Sequence, residues 1–191
     1  MCKSVLPKAR SGFAAFAAGS KIVIVGGNDG KVLSRVDVWD PASGKWESMP
    51  KMLVKRDELA VTVGPDNKIY AVGGYGGQKS ECLRSVERFD PQEGKWEILA
   101  SLNEPRRALS VVALPDGVYA LGGYNGSEYL HTVEKYDLAK GKWEYVKAMN
   151  NARCTFEAVV STPDFQYIYA IGGFNGSPME SVERYSVFLD Q

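Results

Sequence analysis

The stretch Tyr119-Ala120-Leu121-Gly122-Gly123-Tyr124-Asn125-Gly126 is one of four versions of the same sequence feature. Each version is a short apolar run that ends in two glycines, and the other three lie at residues 24–30, 70–77 and 169–176. The glycine pairs begin at positions 26, 73, 122 and 172, so successive copies are 47, 49 and 50 residues apart. Self-similarity at a nearly fixed period indicates an array of similar structural units.

The third repeat shows what one unit contains. Residues 109–113 and 118–121 are apolar and rich in β-branched side chains, and Pro115-Asp116-Gly117 separates them. Residues 131–136 alternate in polarity, and a second turn leads to residues 143–146. Short strands at a spacing of about twelve residues, joined by turn sequences, are typical of a meandering antiparallel sheet. The sequence therefore predicts an all-β fold.

Composition limits the class of protein. The 191 residues have a formal net charge of zero, 45% hydrophobic and 24% charged residues, which gives no overall preference for nucleic acid or an anionic membrane. The three cysteines, Cys2, Cys82 and Cys154, occupy unrelated repeat positions, which argues against a disulfide framework. We therefore expect the protein in a reducing compartment. No apolar run approaches the ~18 residues of a membrane span, and residues 1–16 make a poor secretion signal, so we expect a cytoplasmic protein.

Large aromatic residues recur late in each repeat. Trp46, Trp96 and Trp143 follow an aromatic residue of the preceding strand by seven positions. A single four-stranded sheet cannot bury both of its faces, and stacked sheets bury large aromatic side chains between them. We therefore interpret these tryptophans as core residues and not as ligand-binding residues.

The double glycine, the later aromatic and the tryptophan about twenty residues past the glycines resemble the kelch repeat. The resemblance covers essentially residues 1–191 and is greatest to the kelch domains of the kelch-like (BTB-kelch) substrate adaptors of ubiquitin ligases. It implies a β-propeller of four kelch blades, each a four-stranded antiparallel sheet. The predicted blade repeats are residues 8–54, 55–104, 105–151, and 152–191 together with 1–7.

The fourth repeat departs from the pattern because its tryptophan position falls one residue past Gln191. The N-terminal segment Lys3-Ser4-Val5-Leu6-Pro7 resembles the tail of a fourth strand, so we expect it to complete the last blade and close a four-bladed ring. The alternatives are part of a larger ring and a curved array that needs a partner.

Catalytic patterns are missing from the sequence. His131 is the single histidine, and there is no Cys-x-x-Cys pair, nucleophile elbow or phosphate loop. We therefore expect no enzymatic activity, no catalytic residue, no metal and no cofactor. The copper-radical oxidases that share the kelch propeller need two histidines, which excludes that activity.

Partner binding has better candidates. The resemblance implies that Arg10, Arg56, Arg106 and Arg153 start the innermost strand of each blade and ring one mouth of the central channel, with Arg107 as a neighbour. It also implies that the residues after the double glycines lie at this mouth. These residues are Asn28, Tyr75, Tyr124 and Phe174. Arginine binds carboxylates bidentately and tyrosine is a frequent interface anchor, so the predicted partner is a protein, in particular an acidic peptide.

Two interpretations of the arginines stay open at this point. Either they recognise a partner, or nearby acidic residues neutralise them; the candidates for neutralisation are Asp57, Glu58, Glu104 and Glu157. The recurring Glu87, Glu134 and Glu183 of the third strands are interpreted as blade-to-blade hydrogen-bonding or solvated residues. The predicted function is that of a protein–protein interaction module that binds a partner peptide at the channel mouth. In the kelch-like adaptors, such a module is the part that recognises the ubiquitination substrate. A kelch-type sugar-acid isomerase and a cytoskeletal (actin) scaffold are the alternatives.

Overall fold

The computed structural model describes residues 4–190, and these residues form β-strands, turns and loops without a helix. Consequently none of them belongs to a helix with the length and apolarity needed to cross a bilayer. The strands are β1 (Ala14–Ala18), β2 (Lys21–Val25), β3 (Val36–Asp40), β4 (Lys45–Met49), β5 (Arg56–Asp57), β6 (Ala60–Val63), β7 (Ile69–Val72), β8 (Tyr75–Gly76), β9 (Glu81–Cys82), β10 (Val86–Asp90), β11 (Lys95–Ile98), β12 (Ser110–Leu114), β13 (Gly117–Leu121), β14 (Val133–Asp137), β15 (Lys142–Val146), β16 (Glu157–Val160), β17 (Tyr167–Ile171) and β18 (Val182–Ser186).

Most strands form one antiparallel sheet per repeat. Blade 1 has the order β1-β2-β3-β4, blade 2 β6-β7-β10-β11 and blade 3 β12-β13-β14-β15. Blade 4 has three strands within the described residues, in the order β16-β17-β18. The predicted kelch blades are therefore confirmed, with four strands in three of them and three strands in the last.

Blade 3 shows why this sequence forms a blade. The turn at Pro115-Asp116-Gly117 places Val112 opposite Tyr119, and β14 and β15 then place Tyr136 opposite Trp143. Every residue of β13 is buried, because a neighbouring blade covers each face of the central strands. This explains the continuous apolar run before the double glycine, since a strand that is covered on both faces needs no polar alternation.

Apolar cores lie between consecutive blades. The inner strands contact one another in the order β1, β6, β12 and β16. Trp96 lies in the core between blades 1 and 2, and Trp143 in the core between blades 2 and 3, where they are 6% and 5% exposed. The predicted core role is confirmed for these two residues, whereas Trp46 is half-buried at the outer side of blade 1.

The double glycine allows the next blade to approach. Gly73 has a φ of +61°, and a Cβ atom there would lie 2.4 Å from the carbonyl oxygen of Arg106. The N–H of Gly74 donates a hydrogen bond of 2.8 Å to the same oxygen. A side chain would therefore separate the two backbones. The pair works as a contact between blades, in addition to ending the second strand of its own blade.

A second line of backbone hydrogen bonds joins the blades just before their first strands. The Glu58 N–H donates to the Gly12 carbonyl at 2.7 Å, Ala108 to Glu58 at 2.8 Å, and Thr155 to Ala108 at 2.8 Å. All four residues have positive φ values, between +46° and +61°. In blades 2, 3 and 4, a residue other than glycine adopts this left-handed conformation, at a cost in backbone strain.

The expected closure of the ring is not found among residues 4–190. No strand pairing and no extended contact joins blade 4 to blade 1 in this part of the chain. Val159, Ile171 and Val182 of blade 4 are 43%, 43% and 58% exposed, because no further blade among the described residues covers that face. The described residues therefore form a row of four blades whose two end faces do not meet.

The N-terminal segment also differs from the prediction. Residues 4–7 form no strand, and the Ser4 Oγ accepts a hydrogen bond of 2.8 Å from the Trp46 indole of blade 1. In the next two repeats the equivalent indoles donate to the carbonyls of Pro50 and Ala100. The segment does occupy the position of a fourth-strand tail, but next to blade 1 and not within blade 4. Residues 1–3 of the expected strand lie outside the described part.

Candidate functional site

The predicted arginine ring is buried within the blades. Arg56 donates from Nη1 to the carbonyls of Gly73 and Ser85 at 2.7 and 2.9 Å, and from Nη2 to Glu87 Oε1 at 2.8 Å. The side chains of Arg56 and Glu87 are both 0% exposed. Burial lowers the pKa of the Arg56 guanidinium, and the Glu87 carboxylate opposes this effect. This arginine therefore holds the end of its own blade together.

The same pairing occurs in every blade. Arg106 Nη2 lies 2.8 Å from Glu134, Arg153 Nη2 lies 2.7 Å from Glu183, and Arg10 forms an ion pair with Asp37. The four arginine side chains are 0–1% exposed. The prediction that Arg10, Arg56, Arg106 and Arg153 present their guanidinium groups at the channel mouth is therefore wrong. The physical reason is that a buried charge needs a partner, and the third strand supplies a carboxylate next to each arginine.

These carboxylates also hold the connections between blades. Glu87 accepts hydrogen bonds from the Leu53 and Val54 N–H groups, at 2.6 and 2.9 Å, in the segment that links blades 1 and 2. Glu134 accepts one from the Asn103 N–H at 2.8 Å. The interpretation as blade-to-blade hydrogen bonding is thus confirmed for this position. Of the acidic residues expected to neutralise the arginines, Glu104 alone does so within the described chain, at 3.2 Å from Arg106.

The loops after the double glycines do share one surface. Asn28, Tyr75, Tyr124 and Phe174 each pair through the backbone with the residue that follows the buried arginine. These partners are Ser11, Asp57, Arg107 and Cys154. In blade 2 the pairing extends into the small sheet β5-β8-β9. We call the surface formed by these four loop positions and their partners the mouth.

Asn28 has a structural role at the mouth. Its Nδ2 donates a hydrogen bond of 2.8 Å to Asp57 Oδ2 of the next blade, and its Oδ1 accepts one from the Gly30 N–H. Asp57 is 8% exposed. Asn28 therefore fixes its own loop and links blades 1 and 2.

The other three predicted loop residues form a continuous row with Arg107 and Tyr129. The Arg107 guanidinium lies between two rings, 5.5 Å from the centre of Tyr75 and 5.3 Å from that of Tyr124. The rings of Tyr124 and Tyr129 are 5.3 Å apart, and those of Tyr129 and Phe174 are 5.8 Å apart. We call these five residues the aromatic row. It crosses blades 2, 3 and 4.

Arg107 is the accessible cation of the aromatic row. Its Nη1 lies 3.3 Å from Glu58 Oε2, and the two side chains are 35% and 42% exposed. An ion pair this exposed contributes little to stability, so an incoming carboxylate can replace Glu58 at small cost. The sequence indicated Arg107 only as a neighbour and did not indicate Tyr129. A signal for Tyr129 was available, since it lies in the same polar loop as Tyr124.

Two shallow grooves lie on either side of Arg107 and Tyr124. One, of about 480 Å³, runs between Tyr75 and Tyr124 past Cys82. The other, of about 380 Å³, runs between Tyr124 and Phe174 past Cys154. Burial raises the pKa of both thiols, which disfavours the reactive thiolate form. The grooves thus offer aromatic walls and one cation for binding.

His131 and the acidic residues form no metal site in the described part of the chain. No group of three or more His, Cys, Asp or Glu side chains is arranged there to hold an ion. His131 is exposed just before β14, and its carbonyl accepts a hydrogen bond from the Met149 N–H. Its place is that of a surface loop residue.

Comparison with known proteins agrees with this architecture. The family model of the KLHDC2/KLHL20/DRC7 Kelch-repeats domain matches residues 12–188. That range includes all eighteen strands of the described fold. A search of curated proteins gave no significant match. Because the match extends over nearly the whole sequence and the blades are present, the chain belongs to the KLHDC2/KLHL20/DRC7 kelch-repeat domain family.

Proposed function

We propose that the aromatic row binds an extended segment of a partner protein. Kelch-repeat domains are generally non-enzymatic modules that bind protein partners. The observation that carries the proposal is the position of Arg107 between Tyr75 and Tyr124, with an open groove on either side. Arginine and tyrosine are enriched among residues that dominate interface energetics, because they offer a large rigid contact area with directed hydrogen bonds.

The chemistry of the row suits a peptide that carries a carboxylate next to apolar side chains. The carboxylate would take the place of Glu58 at Arg107, and the apolar side chains would lie against Tyr124 and Phe174. A single accessible cation favours one acidic residue at this point over a long acidic run, since Glu58 and Glu81 also lie beside the grooves. We therefore propose that Arg107 binds one acidic residue of the partner. This replaces the expectation that a ring of four arginines binds an acidic peptide.

In a substrate adaptor of a ubiquitin ligase, this segment would belong to the protein that is ubiquitinated. We propose this role from the resemblance to the kelch-like adaptors. The free thiols of Cys82 and Cys154 fit the reducing conditions of the cytoplasm, where we place the protein. A sugar-acid isomerase would need arginines that reach a substrate, whereas Arg56 and Arg106 are fully buried. No observation favours an actin scaffold.

The experiment is selection of binding peptides from a library of random linear peptides, followed by affinity measurement with fluorescence anisotropy. We expect Arg107→Ala combined with Tyr124→Ala to weaken binding of the selected peptides by at least tenfold. Arg88→Ala with Tyr145→Ala is the matched control, because it removes the same residue types from outer strands away from the mouth. Equal loss in both variants, or no loss in the first, would refute the proposal.

A further inference from the structure

An apolar groove lies at the end of the blades opposite the mouth, where the first hairpins of blades 2, 3 and 4 meet. Its volume is about 290 Å³, and none of its lining residues carries a charge. The lining includes Val63 and Pro65 of blade 2, Leu114 and Pro115 of blade 3, and Phe165 of blade 4. The groove involves neither the mouth nor strand β18, and it does not depend on the function proposed for the aromatic row.

Phe165 has a backbone conformation that its side chain does not favour. Its φ is +54°, in the turn that follows Pro163-Asp164. In the corresponding turn of blade 2, Pro65-Asp66 is followed by Asn67, whose φ is +59°. Asparagine enters the left-handed region more readily than other residues with a side chain, whereas a bulky aromatic residue is strained there. Such strain points to a function of the ring beyond the formation of the turn.

The ring of Phe165 lines the groove without being covered by it. Phe165 is 40% exposed, and Val63 on the blade 2 side is 38% exposed. Pro115 of blade 3 is also exposed, whereas Leu114 at the base of the groove is 2% exposed. Exposed apolar side chains that are contiguous across several blades mark an interaction surface more often than scattered ones do. The groove therefore suits one large apolar side chain from a partner.

Asp164 places a negative charge beside the ring. It is exposed, and it forms no ion pair within residues 4–190. Its Oδ1 accepts hydrogen bonds from the Ser161 hydroxyl at 2.6 Å and from the Gln166 N–H at 3.3 Å. The hydrogen bond from Ser161 lowers the pKa of Asp164, so the carboxylate is charged at neutral pH.

The other two hairpins also have an aspartate next to a lining proline. Asp116 is balanced by Lys135, whose Nζ lies 2.6 Å from its Oδ2. Asp66 lies 3.2 Å from Arg88, but that guanidinium also pairs with Glu97 at 2.6 Å, so one cation serves two carboxylates. The three hairpins and their ion-pair partners thus have an excess of negative charge next to the uncharged groove. A partner with a positive charge beside its apolar side chain would complement this surface.

We propose that the groove binds a segment of a partner protein that presents a large apolar side chain next to a lysine or arginine. The apolar side chain packs against Phe165, Val63 and Pro115, and the basic side chain pairs with Asp164. Burial of the exposed ring supplies affinity, and the charge orients the segment. A second copy of this chain fits less well, because it would bring the same acidic turns against each other.

The test is selection, from a library of random linear peptides, of those that bind the whole chain but not its Phe165→Asn variant. Asparagine occupies the corresponding turn position of blade 2, so the variant should unfold in urea no earlier than the parent chain, and its mouth is unchanged. We expect the selected peptides to share a large apolar residue beside lysine or arginine, and Phe165→Asn to weaken their binding at least tenfold in fluorescence anisotropy. If no peptide distinguishes the two proteins, or if the selected peptides lack the basic residue, the proposal is overturned.

The matched control is Tyr145→Asn. It removes a ring that is 53% exposed from the outer strand β15, away from the groove, and should leave binding of the selected peptides unchanged. Equal loss in Tyr145→Asn and Phe165→Asn would mean that the peptides respond to a general change in the protein and would also overturn the proposal.

A second pair of variants tests the charge. Asp164→Asn keeps an oxygen that can accept the two turn hydrogen bonds but removes the charge, so it should weaken binding severalfold. Asp40→Asn changes an aspartate with the same kind of turn hydrogen bonds at the outer side of blade 1 and should have no effect. Equal effects of the two changes would exclude a basic partner residue at Asp164. Light scattering of the protein without peptide should give a monomer; a dimer that Phe165→Asn abolishes would show that a second copy covers the groove and would overturn the proposal.

Discussion

Arg106 Nη2 lies 2.8 Å from Glu134 Oε1, and both side chains are 0% exposed. Glu134 also accepts a hydrogen bond from the Asn103 N–H, which lies in the connection between blades 2 and 3. The ion pair therefore joins one blade to the chain segment that enters it. Because the equivalent pair occurs in each blade, the arginines stabilise the array, and we propose other residues of the mouth for partner recognition.

Removal of one member of this pair should destabilise the protein strongly. We expect Arg106→Met to lower the free energy of unfolding by about 3–5 kcal/mol, because the Glu134 carboxylate would be left buried without its cation. Arg107→Met, at the next position, removes an exposed pair with Glu58 and should cost less than about 1 kcal/mol. Urea unfolding of the two variants measures the difference. Similar losses would show that Arg106 is not the structural residue of the two.

The double glycine gives a second test, in which the fourth repeat is the control. A Cβ at Gly73 would lie 2.4 Å from the Arg106 carbonyl oxygen, whereas at Gly172 the nearest atom would be 3.4 Å away, because no blade follows blade 4 within residues 4–190. Both glycines have φ near +60°. Gly172→Ala should therefore cost only the left-handed strain of about 1–2 kcal/mol, and Gly73→Ala more than this. Urea unfolding compares them, and equal costs would mean that the approach of the next blade does not require glycine.

Backbone strain before the first strands predicts a stabilising substitution. Thr155 has a φ of +46°, in the position where blade 1 has Gly12. A non-glycine residue in the left-handed region costs about 1–2 kcal/mol, and glycine regains this at an entropic cost of about 0.5–1 kcal/mol. We expect Thr155→Gly to raise stability by up to about 1 kcal/mol in urea unfolding. The same change at Thr62, inside strand β6, should lower it. A loss at both positions would exclude strain at Thr155.

Much of the fold could be predicted because its signals are local and repeated. The apolar run before Gly122-Gly123, the turn at 115–117 and the spacing to Trp143 each depend on neighbours in sequence. The repeat then gives the same answer several times. The core positions of Trp96 and Trp143 followed from the need of each sheet to bury its faces.

The site was harder to predict because its contacts join residues distant in sequence. Arg106 and Glu134 are neighbours only after β12, β13 and β14 have paired in one register, and sequence alone did not show that they meet. The information was nevertheless present: each repeat has an arginine before its first strand and an acidic residue at the second position of its third strand. Tyr129 lies in the aromatic row because it pairs through the backbone with Tyr124, and its place in the same loop was the one sequence signal for this contact.

We expect a loss of stability in acid from Glu183, whose carboxylate accepts hydrogen bonds from the backbone N–H groups of Asn150 and Asn151 between blades 3 and 4. Burial alone would raise the pKa of Glu183, but hydrogen bonds from the Asn150 N–H, the Arg153 side chain and Asn151 lower it below the ordinary value. A lowered folded-state pKa gives stability that is present above the unfolded pKa of about 4.3 and is lost as the pH falls through the folded value.

We therefore expect the free energy of unfolding to fall below about pH 4.3 and Glu183→Gln to reduce this slope. Glu180→Gln, at an exposed position in the preceding loop, is the control and should keep the slope. Urea unfolding at a series of pH values gives the profiles. An unchanged slope in Glu183→Gln would show that this carboxylate has the same pKa in both states.

The tryptophans should differ in their contribution to the free energy of unfolding, depending on how completely neighbouring blades cover them. Trp143 is 5% exposed between two blades, and its indole donates to the Ala100 carbonyl at 3.1 Å. Its replacement by alanine should cost about 3–5 kcal/mol, because it empties a core site that neighbouring blades cannot collapse to fill. Trp46 is half-buried beside Trp39, with its indole bonded to Ser4, so Trp46→Ala should cost roughly half as much by the same area argument. Urea unfolding measures the loss of stability in the two variants. Trp39→Phe is the control, because it retains an aromatic ring against Trp46. If Trp46→Ala proved as costly as Trp143→Ala, residues 4–7 would cover blade 1 as effectively as a complete blade covers its neighbour.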